Sequence, residues 1–240
     1  MARYKDYDYS QGKFIPRQFD RQILPGTFEY SLHYLIDNEI DLSIFESRYR
    51  NDETGAPAYD PAILLKIILY AYSRGITSSR RIAQCCRENI IFMALSADTQ
   101  PHFTTIADFI STLNEEIIGL FLEVLMICDE MELIGKEMFA VDGCKLPSNA
   151  SKEWSGTKGE LEKKPETFTE KMKRKIDSIK GRLIYNRGLG TAEPVFGNIC
   201  STLGLDRFTL RGKPKVNTQW LLYCLLHNLL KVHRFGPEFA

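Results

Sequence analysis

The 240-residue chain carries 31 basic and 31 acidic side chains, and 44% of its residues are hydrophobic, so it is long and apolar enough to fold around a sizeable core. No signal-peptide pattern is present, and the longest apolar runs are interrupted well short of a membrane span. A cytoplasmic protein without a membrane partner is therefore predicted. The six cysteines lack metal-binding spacing and are interpreted as reduced packing residues.

Charge is divided unevenly along the chain. From Lys171 to Ala240 there are 13 Lys and Arg against 4 Asp and Glu, which leaves 18 and 27 for residues 1–170. The C-terminal part is thus +9 and the rest is −9. Such a division suggests a polyanion as the partner of the basic end.

The first part of the chain predicts helices. Residues 1–27 are aromatic, basic and broken by proline and glycine, which is typical of an extended arm. Short helices are predicted from Phe28 to Asp37 and from Asp41 to Arg48. The clearest helix start is Asp60-Pro61, an acidic cap before proline at the first helical position, and this helix is expected to reach Ser73.

Residues 60–88 have the outline of a helix-turn-helix. Gly75 ends the first helix, and Thr77-Ser78-Ser79 is expected to cap a second, basic helix. In a helix-turn-helix the second helix enters the major groove of DNA. The alternative is an αα-hairpin whose arginines are simply solvated. The candidate DNA-binding residues of this helix are Arg80, Arg81 and Arg87.

More helices are predicted before Gly135. Ile90 to Leu95 is a short apolar segment, Thr104-Thr105 is expected to cap a helix through about Asn114, and Glu115 to Leu133 has the pattern of a strongly apolar helix. Residues 28–135 therefore predict one all-helical domain. The helix from Pro61 is expected to bury one wide stripe, made of Ile63, Leu64, Ile67, Ile68 and Tyr70 or Ala71.

The pattern changes at Met138, where an apolar run ends abruptly in Asp142-Gly143. The run predicts a buried strand that places the Asp142 carboxylate beyond the strand end. Proteins hold Mg²⁺ through one or two such carboxylates together with water and phosphate. The alternative is that Asp142 is a turn residue.

Apolar content is low from residue 146 to residue 182, which we interpret as a polar junction. Thr191 to Leu203 then predicts a helix with Glu193 in its first turn, and Asn217 to Val232 predicts a long helix. A basic loop, Arg207 to Lys215, separates the two.

Three groups of short sequence motifs follow one another along the chain. The first runs from Gly55-Ala56-Pro57-Ala58-Tyr59-Asp60-Pro61 through Leu64-Leu65-Lys66 and Gly75-Ile76 to Ser78-Ser79-Arg80. The second combines Pro101 to Phe109 with Val141-Asp142-Gly143, and the third is Glu193-Pro194-Val195-Phe196-Gly197-Asn198-Ile199. Together they resemble the DDE-type transposases of bacterial insertion sequences, over nearly the whole chain.

The resemblance implies a mainly α fold, with the all-helical domain at 28–135 followed by an incomplete α/β RNase H-like domain at 136–240. In that family two Asp and one Glu hold two Mg²⁺ (or Mn²⁺) ions for cleavage and transfer of DNA strands. Asp142 corresponds to the first acid and Glu193 to the last, both as catalytic residues and metal ligands. Without the resemblance, Glu193 would be a helix N-terminal charge favoured by the dipole.

The resemblance also implies partners. These are double-stranded DNA carrying terminal inverted repeats, and either a second copy of the chain or a full-length transposase, which places the protein at the nucleoid. The further candidate DNA-binding residues are Lys145, Arg187, Arg211, Lys213 and Lys215.

The middle acid departs from the family. Asp177 is the only Asp between Asp142 and Glu193, and it lies in a basic stretch rather than after an apolar run. Two further strands, a helix, the strand that bears the second acid and their connections would need roughly 50 residues with substantial apolar content. We therefore predict that a central block is missing, with a junction between about Gly159 and Phe168. Cys200 and Ser201 also stand where the family has a lysine.

Three hypotheses follow from the sequence. The chain is an active transposase, a truncated transposase that binds DNA or a full-length partner without cleaving, or a degenerate product without a role. An Asp at the end of an apolar strand between Asp142 and Glu193 would favour the first, and the sequence has none.

Overall fold

A computed structural model describes residues 18–19, 21–49, 57–113, 115–135, 178, 192–237 and 239. Within these residues the regular secondary structure is helical and no strand occurs. The mainly α class is therefore confirmed for this part of the chain. The RNase H-like α/β domain stays a prediction, because the strand expected at 138–142 lies outside the described residues.

The helices follow one another with short connections. In chain order they are α1 (Phe28–Asn38), a 3₁₀ helix (Ser43–Arg48), α2 (Pro61–Ser73), α3 (Ser79–Glu88), α4 (Ile90–Leu95), α5 (Phe103–Thr112) and α6 (Glu116–Glu130). After the undescribed stretch, residues 192–197 are helical and continue into a π-helical turn (Asn198–Thr202), and α7 spans Lys213–Phe235. No described helix is long and apolar enough to cross a membrane.

Two predicted helix starts have different outcomes. Asp60 caps α2 as expected, because its carboxylate accepts a hydrogen bond from the backbone N–H of Ala62 at 2.8 Å. The predicted cap at Thr104-Thr105 is wrong. His102 is the cap, since its Nδ1 accepts from the N–H of Thr104 at 3.4 Å, and α5 begins at Phe103.

Helix α2 is buried on every side rather than along one stripe. It packs against α1, α3, α4, α5 and α7, and a helix that is apolar all round belongs in such a position. The expected burial of Ile63 is wrong, because this residue is only half-buried at the start of the helix. The buried residues are Leu64, Leu65, Lys66, Ile67, Ile68, Leu69, Tyr70, Ala71 and Tyr72.

Lys66 is the polar exception within α2. Its side chain is only 6% exposed, and its Nζ binds Oδ2 of Asp37 on α1 at 2.6 Å. A buried ammonium group is tolerated when it is paired in this way. The Asp37 carboxylate remains 36% exposed, so the pair joins α1 to α2 at the edge of the core.

The C-terminal helix α7 belongs to the same core as the N-terminal helices. It packs most extensively on α6 and also contacts α1, α2 and α5, with Leu222, Leu226 and Leu229 fully buried. The proposed division between residues 135 and 136 stays a prediction. The described end of the chain nevertheless shares one hydrophobic cluster with α1–α6.

Helix α7 starts earlier than predicted. The sequence suggested a loop through Lys215 and a helix from Asn217, whereas the helix begins at Lys213. Pro214 lies in the first turn, where proline loses no intrahelical hydrogen bond. Lys213 and Lys215 therefore belong to a helix start rather than to a loop.

Three histidines make side-chain contacts within or between the helices. On α7, His233 shares a 2.8 Å hydrogen bond with Ser31 of α1, and His227 shares one of 2.8 Å with Asn198 of the π-helical turn. His33 of α1 lies 3.2 Å from the carboxylate that pairs with Lys66. The first two contacts suit neutral rings, whereas the Asp37 carboxylate beside His33 favours a charged one.

Acidification from pH 7 to pH 5.5 is expected to lower the free energy of unfolding. The pKa of each of these three histidines lies below 6.5, first because of burial and then because of neighbouring cations. At a pH below 6.5 the unfolded chain therefore binds more protons than the folded protein. The contribution of these histidines to stability is full above pH 6.5 and falls as the pH drops below that value. Urea titrations at both pH values measure this, and equal stabilities would contradict it. The cations are Lys66 for His33, Lys231 and Arg234 for His227, and Arg234 for His233, while Asp37 and Glu29 oppose them at His33 and His233.

Candidate functional site

Helix α3 presents a basic face to solvent. Arg80, Arg81 and Arg87 are all exposed, while Ile82, Ala83 and Cys86 are buried against the core. The buried side packs on α5, α4 and α2. The sequence thus places the arginines of α3 where a polyanion has access to them.

The turn before α3 has the outline that the sequence predicted. Helix α2 ends at Ser73, and Gly75 adopts a left-handed conformation with φ of 71°, which glycine adopts without strain. Ser78 is the N-cap residue of α3, but its hydroxyl makes no capping hydrogen bond. The DNA-binding role of these two helices as a helix-turn-helix stays a prediction, and an αα-hairpin with solvated arginines stays its alternative.

Two of the α3 arginines have defined neighbours. The guanidinium of Arg80 lies over the ring of Phe103 on α5, 5.0 Å from its centroid, a cation–π contact that limits its motion. Arg81 donates to Gln84 at 3.3 Å, and Gln84 donates to Glu88 at 2.9 Å. One acid at the end of α3 therefore reduces the positive charge of this face locally.

A second basic element precedes and begins α7. Its cations, Arg207, Arg211, Lys213 and Lys215, are all exposed. The candidate DNA-binding residues in this element are therefore accessible to solvent. Asp206 is an exposed acid at its start. Lys145 and Arg187 lie outside the described residues, and their DNA-binding role stays a prediction.

Glu193 lies in a helical segment, as the sequence predicted, and its side chain is exposed. The segment is attached to α7 by the Asn198–His227 hydrogen bond and by the Phe196 ring, whose centroid is 5.8 Å from that of Trp220. Glu193 is therefore a solvent-facing carboxylate on an anchored segment.

The other acids of the predicted metal site are not described. Asp142 and Asp177 lie in the undescribed stretch, so the pairing of Asp142 with Glu193 stays a prediction. Among the residues that the structure describes, no group of three or more His, Cys, Asp and Glu side chains is arranged to hold a metal ion.

Two family models match the chain. One, described as "Transposase domain (DUF772)", matches residues 17–112 and so covers α1 to α5. The other, described as "Transposase DDE domain", matches residues 136–233, which include Asp142, Glu193 and most of α7. The chain is thus a transposase-family protein. It belongs to the DDE-type transposases of insertion sequences. No curated protein and no solved structure matches it.

A DDE domain implies dependence on a divalent metal ion in general. Glu193 fits this chemistry as an exposed oxygen donor, the kind that hard cations such as Mg²⁺ prefer. One carboxylate does not make a catalytic metal site, so the described residues include only one candidate ligand of the expected set, Glu193.

Proposed function

We propose that this protein binds double-stranded DNA, mainly through phosphates, and does not cleave DNA by itself. The observation that carries the proposal is the exposed basic face of α3. The +9 charge between Lys171 and Ala240 and the exposed cations at the start of α7 support it. Transposase family membership makes DNA the expected polyanion.

The spacing on α3 suits a DNA groove. Arg80 and Arg87 are seven residues apart, close to two helical turns, so they share one face about 10 Å apart along the axis. The major groove is about 12 Å wide and admits a helix. Arginine is well suited to phosphate, because its planar guanidinium offers two parallel donors.

The expected duplexes are the terminal inverted repeats of the parent element, and the expected protein partner is a second copy or a full-length transposase. Binding to chromosomal DNA would place the protein at the nucleoid. Strand cleavage and transfer with Mg²⁺ or Mn²⁺ is the second candidate function. It rests on Asp142 and Glu193 as catalytic residues and metal ligands, and it needs a third acid that the sequence does not supply in a suitable context.

The affinity for a fluorescently labelled duplex is expected to fall steeply with salt, because each phosphate that a cation neutralises releases counterions. With about six contacts the loss between 50 and 200 mM salt is on the order of 10³-fold. Arg81→Ala should reduce the slope of log affinity against log salt by about one. Fluorescence anisotropy at several salt concentrations measures both quantities.

Arg21→Ala is the matched control, because Arg21 is an exposed arginine outside both basic elements. It should leave the salt slope unchanged. The absence of binding at low salt, or an affinity that does not respond to salt, would contradict the proposed function.

A further inference from the structure

A cavity of about 290 Å³ lies between the start of α3 and the loop before α7. Thr77, Ser78 and Ser79 contribute hydroxyl groups from the α3 side, and Thr209 contributes one from the loop. The rest of the lining comes from Tyr72 of α2, Ala107 and Ile110 of α5, and Leu210 of the loop. The two basic elements, far apart in the sequence, therefore meet at one place on the surface.

On both sides of this cavity an exposed arginine follows a lining residue in the sequence. Arg80 directly follows the lining residue Ser79, and Arg211 directly follows the lining residue Leu210. Arg80 is held against Phe103, so its charge stays beside α5. Hydroxyl groups next to arginines are the donors that proteins use for DNA phosphates.

Gln219 of α7 holds the loop side of the cavity. Its side chain is fully buried, and its Oε1 accepts from the backbone N–H groups of Thr209 at 3.0 Å and Leu210 at 3.3 Å. Its Nε2 donates to Oγ1 of Thr209 at 3.0 Å. One buried amide thus makes three hydrogen bonds to two successive loop residues.

The helix that carries Gln219 is itself fixed to α5. The buried hydroxyl of Thr218 donates to the backbone carbonyl of Leu113, the residue after α5, at 3.0 Å. Helix α5 in turn packs on α3. Hydrogen bonds and packing therefore connect the loop to α3 through α7 and α5.

We propose that the first turn of α3 and the loop at residues 206–212 form one composite surface for the sugar-phosphate backbone of double-stranded DNA. Gln219 is the positioning residue that holds the loop on this surface. A loop already fixed in the free protein loses little conformational entropy when it binds, which favours affinity. This inference rests on the DNA binding proposed above and adds the geometry of the surface.

Gln219→Met tests the inference. Methionine has a similar length but offers no hydrogen bonds to the loop. The variant leaves the part-buried N–H groups of Thr209 and Leu210 without their acceptor, which costs some stability, so a thermal melt first checks that it is folded. We expect the dissociation constant for duplex DNA to rise about tenfold and the salt slope to become shallower.

The matched control is Asn228→Leu. Asn228 is also an amide on α7, but its side chain donates within the helix, to the carbonyl of Cys224 at 3.0 Å. This variant should bind DNA like the wild type. Arg211→Ala should weaken binding about fivefold in the wild-type background and less in the Gln219→Met background, because the loop is then no longer positioned.

The outcomes separate the two proposals. If the wild type does not bind duplex DNA, the proposed function itself fails. A second outcome is that the wild type binds, Arg81→Ala weakens binding, and Gln219→Met and Arg211→Ala bind like the wild type. This outcome would overturn the composite surface but not the proposed DNA binding. If Gln219→Met melts early, Arg211→Glu decides, since it keeps the buried amide and its three hydrogen bonds, and unchanged affinity would overturn the surface.

Discussion

Leu64→Asp is expected to abolish cooperative folding of the protein. Leu64 is 2% exposed, and α2 packs against five other helices. A carboxylate at this position would lose its hydration, and the ammonium group of Lys66 on the same helix is already paired with Asp37. An unpaired buried charge costs several kcal/mol, and the total stability of a domain is only about 5–15 kcal/mol.

Ile63→Asp is the matched control for this substitution. It introduces the same charge one residue earlier, at a position that is only half-buried and near the start of the helix. Its melting temperature should stay close to that of the wild type, and an acid near a helix N-terminus is even favoured by the dipole. Thermal unfolding followed by circular dichroism measures both variants. A cooperative melt of Leu64→Asp at the wild-type temperature would show that the assignment of α2 to the core is wrong.

Local signals predicted the N-terminal helices well. Asp60-Pro61 and Gly75 delimit α2, because an acidic cap, a proline in the first turn and a left-handed glycine act on the backbone next to them. The burial of α2 on every side depends instead on helices that come from both ends of the chain, α1 and α7 among them. The sequence pattern, which predicted a single buried stripe, therefore underestimated the burial of α2.

The boundary of α7 was harder to predict, because Gly212 and Pro214 act both as loop formers and as features of a helix start. Gln219 follows the polar residues Asn217 and Thr218, so its sequence context did not mark it as buried, although an amide in a core must find hydrogen-bond partners. The sequence did not show which residues it would bind. Thr209 and Leu210 become its partners only when the loop folds back on α7.

The exposure of the candidate DNA-binding residues followed from the sequence, whereas their arrangement did not. Solvent is the default location of an arginine, and Arg80, Arg81, Arg87 and Arg211 are all exposed. The approach of the loop to the start of α3 depends on packing among α3, α5 and α7, which no local pattern encodes. The aromatic support of Arg80 by Phe103 was missed for the same reason.

The purified chain is expected not to cleave DNA from its parent element, with either Mg²⁺ or Mn²⁺. A two-metal site brings two divalent cations within about 4 Å of each other, and several converging carboxylates must offset their repulsion. On the proposed assignment, Asp142 and Glu193 would supply two of these carboxylates. Asp177 would have to supply the third, but its sequence neighbours are basic and no apolar run precedes it.

An end-cleavage assay on the parent element's terminal DNA tests this expectation, with Asp142→Ala and Glu193→Ala run in parallel. No product should form with the wild type or either variant, and metal titration should show only weak binding, because two carboxylates leave much of the charge of two cations uncompensated. Asp177→Ala separates the remaining possibilities: cleavage by the wild type that all three substitutions abolish would identify Asp177 as the middle acid. Cleavage that only Asp142→Ala and Glu193→Ala abolish would show that a working site forms without Asp177, and the predicted loss of a central block would then not have removed catalysis.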